Sequence, residues 1–198
     1  MIFGPVPTPQ SVYLLEHGLV RIYRLAPSGA ETTFGYIRPG EVFGELAVFS
    51  DRPRESYASA VGPTRVWRLV REAMSAVLAE HPGIAIAITK QVGSRMKRIE
   101  SRVEHLVFRP VPSRLACILL ELAEDFGRRE KDYLLLDLQI SQQELATLIG
   151  ASRQAVNASL RELQRDGVVR REGRRLALLR PIALRRLRDR GGTDGRRG

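Results

Sequence analysis

The rhythm of apolar and polar positions changes twice along the chain. Between residues 12 and 70, Val12–Leu15, Leu19–Leu25, Thr32–Ile37 and Thr64–Val70 are short runs rich in β-branched and aromatic residues. Turn-forming clusters separate them: Pro27-Ser28-Gly29, Pro39-Gly40, Asp51-Arg52-Pro53 and Gly62-Pro63. Short strands at this spacing predict a β sandwich or roll. The first ten residues hold Pro5, Pro7 and Pro9 and read as irregular.

From residue 84 to 108 the period lengthens. Ile88, Val92, Met96, Ile99, Val103 and Leu106 recur at steps of four, four, three, four and three. That is the rhythm of a coiled coil, with Lys90, Arg95, Lys97, Arg98, Glu100 and Arg102 filling other faces. Such a helix can bury its stripe on its own β domain, on a second copy, or on both. Spacing kept over about three heptads favours a parallel dimer seam.

Pro110 and Pro112 end this helix, since neither can continue its hydrogen-bond ladder. Ser113 then reads as the N-cap of an amphipathic helix through Phe126, with Leu115, Ile118, Leu119, Leu122 and Phe126 on one face. A domain boundary is expected near residue 110. Further on, Ser141-Gln142-Gln143-Glu144 is a capping box, and the helix it starts stops at Gly150. Only Ala151 separates that glycine from Ser152, a second N-cap. The next helix, Arg153–Arg165, sets Val156, Leu160 and Leu163 on one side, and Gly167 closes it. Two short helices joined by so tight a turn predict a helix-turn-helix. Val168–Arg171 and Arg175–Leu179 flank Glu172-Gly173 as a hairpin, which after such a motif is a wing.

The polar face of the second helix carries the candidate chemistry. Arg153, Gln154 and Asn157 point away from the buried stripe near the helix N-terminus. In this motif that end enters the DNA major groove. There Arg pairs with guanine, and Gln or Asn with adenine, through two hydrogen bonds each. Ser141 and Ser152 stand at helix starts that suit phosphate. Arg170, Arg171, Arg174 and Arg175 on the wing suit phosphate as well.

Charge sharpens this picture because it is uneven. Residues 170–198 carry eleven arginines against Glu172, Asp189 and Asp194, a net +8 of the formal +10. A basic end beside a nearly neutral body fits a polyanion partner, double-stranded DNA above all. Arg188 to Gly198, mostly Gly and Arg without apolar anchors, reads as a disordered tail.

The lone Cys117 lies in an apolar run, excludes an intramolecular disulfide and suits a small core residue. No metal is expected: His17, His81 and His105 show no ligand spacing, so haem and iron–sulfur sensing are disfavoured. No apolar stretch reaches the roughly 20 residues a membrane span needs, and no signal peptide opens the chain. The expected location is the cytoplasm. No nucleophile–base pair or Gly-rich phosphate loop argues for an enzyme.

The whole chain resembles the CRP/FNR family of bacterial regulators over roughly residues 12–180. The resemblance rests on Pro39-Gly40-Glu41-Val42-Phe43, Gly44-Glu45-Leu46-Ala47-Val48-Phe49, Ser141-Gln142-Gln143-Glu144-Leu145-Ala146 and Ser152-Arg153-Gln154-Ala155-Val156-Asn157. It implies an α+β protein with a cyclic-nucleotide-binding β roll, a long dimerisation helix and a C-terminal winged helix-turn-helix. It also implies a homodimer on a near-palindromic site; because the family usually has one or two more strands before the segment at Val12, the roll is expected to be trimmed at its start.

The expected domains are 1–83 (roll), 84–109 (dimerisation helix and hinge), 110–187 (DNA-binding) and 188–198 (tail). The resemblance places an effector pocket at Gly44, Glu45, Leu46, Arg54, Glu55, Ile99 and Glu100. Glu45 matches a residue that holds the ribose hydroxyl. Arg54 matches the one that holds the cyclic phosphate, if the preceding loop is one residue shorter. Glu55 then stands where a hydroxyl donor is usual, or otherwise replaces the arginine itself. Ile99 and Glu100 fall on a Thr-Ser pair that touches adenine.

Cyclic AMP is therefore disfavoured, and Glu45 and Arg54 are expected to bridge each other across an empty roll. The functional expectation is a sequence-specific regulator, activator rather than repressor, working without cyclic AMP and meeting RNA polymerase if it activates. The alternative is the same regulator gated by a cyclic nucleotide or another small effector.

Overall fold

The computed structural model describes residues 1–5, 10–49 and 53–191. The chain divides into two compact units, Met1–Ile99 and Glu100–Gly198. The division falls between Ile99 and Glu100, within the long helix.

The first unit is built from two three-stranded antiparallel sheets. One has the order β4 (Val42–Phe43), β1 (Ser11–His17), β6 (Arg65–Val70), and the other β3 (Glu31–Ile37), β2 (Val20–Leu25), β5 (Tyr57–Ala60). Side chains alternate across each strand, so one face of each sheet turns inward. Tyr13, Leu15 and Phe43 from one sheet meet Val20, Ile37 and Ala58 from the other in a single core. Of the start expected to be irregular, residues 6–9 lie outside the described residues, and residues 1–5 form no helix or strand beyond one isolated bridge, Phe3 to Ala58, with Phe3 stacked on Tyr13 and Phe43. The Phe3 ring is 6% exposed, so its aromatic surface joins the core of the roll.

Helices α1 (Leu46–Phe49), α2 (Arg71–Glu80) and the part of α3 (Pro82–Phe108) up to Ile99 complete the unit. Val48, Met74 and Ile88, one from each helix, pack on Val12 with Val42, Leu69 and Val92 around them. Ile88 and Val92 are therefore spent on the chain's own roll. Further along α3, Met96, Ile99, Val103 and Leu106 are 56, 40, 55 and 46% exposed. The stripe read from the sequence has two halves with different cover.

In the second unit, α4 (Val111–Phe126) packs Leu115, Leu119 and Leu122 into the core. Ser113 is not its N-cap, because the helix starts two residues earlier behind Pro110, with proline in its first turn. The Ser113 hydroxyl is buried and donates to the Arg188 carbonyl at 3.2 Å. Next come α5 (Gln142–Ile149), α6 (Arg153–Arg165) and a sheet ordered β7 (Gly127–Arg129), β8 (Leu134–Leu136), β10 (Arg175–Leu178), β9 (Val169–Glu172). The hairpin of the wing is thus two strands of a four-stranded sheet. Finally α7 (Pro181–Arg190) lies on α4 through buried Leu184. Arg188 to Arg190 are helical, contrary to the expected disorder, and residues 192–198 lie outside the described residues.

The capping box at Ser141 is complete: its hydroxyl accepts from Glu144 N at 3.1 Å, and the Glu144 carboxylate accepts from Ser141 N at 2.8 Å. Ser141→Ala is expected to cost about 1 kcal/mol of stability in a denaturant melt, with no change in slope.

Candidate nucleic-acid interface and sensor cavity

Gly150 sits at φ +58°, the left-handed conformation that ends α5 and turns the chain toward α6. A Cβ there would lie 2.4 Å from Leu106 Cδ2. Arg114 fixes the same turn by donating from Nη1 to the carbonyls of Ile149 at 2.7 Å and Gly150 at 3.2 Å. Arg102 joins Glu121 at 2.6 Å, and is not merely a solvated residue on α3. In this packing Cys117 is half-buried, and burial pushes its thiol up, away from reactive thiolate. His105 is held below its usual value by burial and by Arg109.

Ser152 caps α6 by accepting from Ala155 N at 3.1 Å. Val156, Leu160 and Leu163 are buried as the spacing predicts. Arg153 and Gln154 stand exposed on the first turn. Asn157 is half-buried, and its Oδ1 accepts from Gln142 Nε2 at 3.2 Å. That bond orients the amide and leaves its NH2 donors for another acceptor.

The four wing arginines differ in what they already hold. Arg170 pairs with Glu172 at 2.5 Å and lies over the Tyr133 ring. Glu172 holds Arg170 above its ordinary pKa, and Arg170 holds Glu172 below its own. Arg175 meets Asp137 at 2.9 Å, and Arg171 donates to the Gly173 carbonyl at 3.0 Å. Between α6 and the wing lies a cavity of about 370 Å³, lined by Asn157, Arg161, Gln164, Arg171, Arg174 and Arg175 among others. Arg161 and Gln164 escaped the sequence reading, although α-helical spacing from Asn157 marks their face.

In the roll, a cavity of about 320 Å³ is lined by Gly44, Glu45, Leu46, Arg54 and Glu55, together with Arg24 and Arg95. Ile99 and Glu100 do not line it. The expected Glu45–Arg54 bridge is replaced by other pairings. Glu45, 5% exposed, faces Arg95 of α3 at 3.6 Å, and Arg95 also donates to the Val42 carbonyl. Arg54 donates to the carbonyls of Ser11 and Gly44, and its guanidinium lies 4.2 Å above the Phe3 ring. Burial pushes Arg54 down from its ordinary value, although a guanidinium stays charged. Glu55 pairs with Arg24 at the exposed rim. Arg95 was missed because the pairing spans fifty positions and its helix face looked solvated.

The comparisons agree with this geometry. The cyclic nucleotide-binding domain family matches residues 2–81, and the Crp-like helix-turn-helix domain family matches residues 113–187. A CRP-like cAMP-activated global transcriptional regulator of Mycobacterium tuberculosis is 34% identical over 173 residues, 87% of this chain and 77% of that protein. The global nitrogen regulator of Synechococcus elongatus is 32% identical over 185 residues, 92% of this chain and 83% of that one. A CRP-family transcriptional regulator of Thermus thermophilus superposes with a TM-score of 0.80 at 28% identity, covering 95% and 92% of the two chains. The relatives are regulators rather than enzymes. No helix among the described residues is long and apolar enough to cross a membrane. With its roll, capped helix-turn-helix and wing in the family's order, the chain belongs to the CRP/FNR family of DNA-binding transcription regulators.

Proposed function

We propose that the protein is a cytoplasmic activator that binds a near-palindromic DNA site as a homodimer and does so without cyclic AMP. The observation that carries the DNA reading is the capped N-terminus of α6, with Arg153 and Gln154 exposed beside an amide already oriented by Gln142. Arg153, Gln154 and Asn157 read base edges. Ser141, Ser152, Arg170, Arg171, Arg174 and Arg175, joined by Arg161 at the cavity beside the wing, hold the phosphates. The exposed half of α3, from Met96 to Leu106, supports the dimer: it is an apolar surface at heptad spacing. One α6 per copy then gives two half-sites. The activator role, with RNA polymerase as partner, is carried over from the family resemblance.

Independence from cyclic AMP is supported by Arg54. Its guanidinium is already spent on two backbone carbonyls and an aromatic face, so a cyclic phosphate would have to displace them. Glu55 adds a carboxylate at the rim, which repels the same ligand. A selection of random duplexes with ligand-free protein tests the proposal. The expected product is a two-fold motif, unchanged when cyclic AMP is added; a motif recovered only with the nucleotide would sink it.

A gated reading has its own support in the 320 Å³ cavity. It requires Arg54 to leave its carbonyls. Calorimetry with cyclic AMP and cyclic GMP decides between the two, since heat of binding at micromolar concentration would favour gating.

A further inference from the structure

Helix α7 carries more positive charge than its place in the fold uses. Its N-cap and body hold Arg180, Arg185, Arg186, Arg188 and Arg190 against Asp189. Leu184 anchors one face on α4 and is fully buried. Arg188 pairs with Asp189 at 2.9 Å, and its carbonyl accepts from Ser113 and Arg109. Arg188 and Arg190 lie in the last turn, where the helix dipole rewards a cation. Arg185 and Arg186 have none of these uses. They stand exposed in mid-helix and like-charged side by side, where they cost self-repulsion.

A run of contacts links the end of α7 to the turn before α6. Its C-terminal end is seated on the start of α4, where a Cβ at Gly191 would lie 2.3 Å from Ser113 Oγ. The next residue, Arg114, donates to the carbonyls of Ile149 and Gly150. Gly150 is two positions before Ser152, the cap of α6. Thus, through Ser113 and Arg114, the end of α7 is joined to the corner of the unit where α6 presents Arg153. From residue 191 back to Arg185 is about 9 Å along a helix axis. A polyanion docked on the start of α6 and extended past that corner would run beside α7.

We propose that α7 is a second DNA-contacting surface, in which Arg185 and Arg186 bind backbone phosphates flanking the sequence read by α6. The inference rests on α6 entering the groove. The partner is the same duplex beyond the half-site, and the contacts carry no base preference, since phosphate is the same at every step. An exposed acidic protein surface would offer similar charge. The duplex is favoured because the corner beside α6 is where a duplex must lie.

The test compares Arg185→Gln/Arg186→Gln with the parent protein on two duplexes, one ending at the motif and one extended by about one helical turn on each side. Gln keeps helix propensity at both positions, and a thermal melt checks the fold. The parent protein is expected to bind the extended duplex at least tenfold more tightly, and the variant to lose that gain. Each lost phosphate contact lowers the slope of log K against log salt by about 0.9, so the variant should lose about 1.8 per protomer on the extended duplex only. Arg185→Lys/Arg186→Lys should keep most of the gain, because a point charge suffices. Equal length dependence in parent and Gln variant overturns the proposal. Failure of the parent on both duplexes would instead count against α6 as the reading helix, so the two failures are distinguishable.

Discussion

Arg153→Ala is expected to lower affinity by about 1–3 kcal/mol per half-site and to erase the preference for one guanine in each. Arg153 stands exposed on the first turn of a helix whose cap and buried stripe do not involve it. Truncation should therefore leave the fold intact while removing a two-bond pair. The two half-sites of a palindrome double the loss, roughly 30- to 10⁴-fold in all. Affinity and motif are read together in a binding selection with the variant. If the recovered motif keeps its full information at every position, Arg153 does not read a base. A uniform loss across all sequences would move it to the phosphates.

The second large effect concerns assembly. Met96→Glu with Val103→Glu is expected to convert the protein to a monomer and weaken binding to the full site by roughly 10²- to 10⁴-fold, the usual worth of linked binding events. Both side chains are more than half exposed in the single chain, so the charges should cost the fold little. In a seam between two helices, four carboxylates would be desolvated without partners. Sedimentation measures the assembly, and a half-site duplex controls for the reading head, whose affinity should not change. A double variant that still sediments as a dimer places the interface elsewhere.

Those expectations come from different depths of reading. The helix-turn-helix was legible because each boundary has local chemistry: Ser141 with Glu144, Gly150 at positive φ, Ser152 with the third residue of α6. The strands at Ser11, Val20, Glu31 and Arg65 were legible from β-branched runs between turns. By contrast, β5, β7 and β8 have three or four residues each, too short for any period to register. The wing sheet's Gly127–Arg129 contains no apolar side chain, so only its partner Leu134–Leu136 explains it.

The cavity in the roll was half legible. Motif resemblance pointed to Glu45 and Arg54, and both line the cavity. Their partners could not be read, because Arg95 and Phe3 reach them from far along the chain. The α3 stripe shows the same limit in another form. Spacing fixes the angle of an apolar face and says nothing about what covers it.

That divided cover has an evolutionary consequence under the proposed assembly. Along one helix, changes near Ile88 and Val92 are judged by whether a single chain folds, and changes from Met96 to Leu106 by whether two copies fit. After a gene duplication, sister regulators could stop pairing with each other by altering the second segment alone. Each would keep its roll and its reading head, and the pair would become insulated circuits without either being rebuilt.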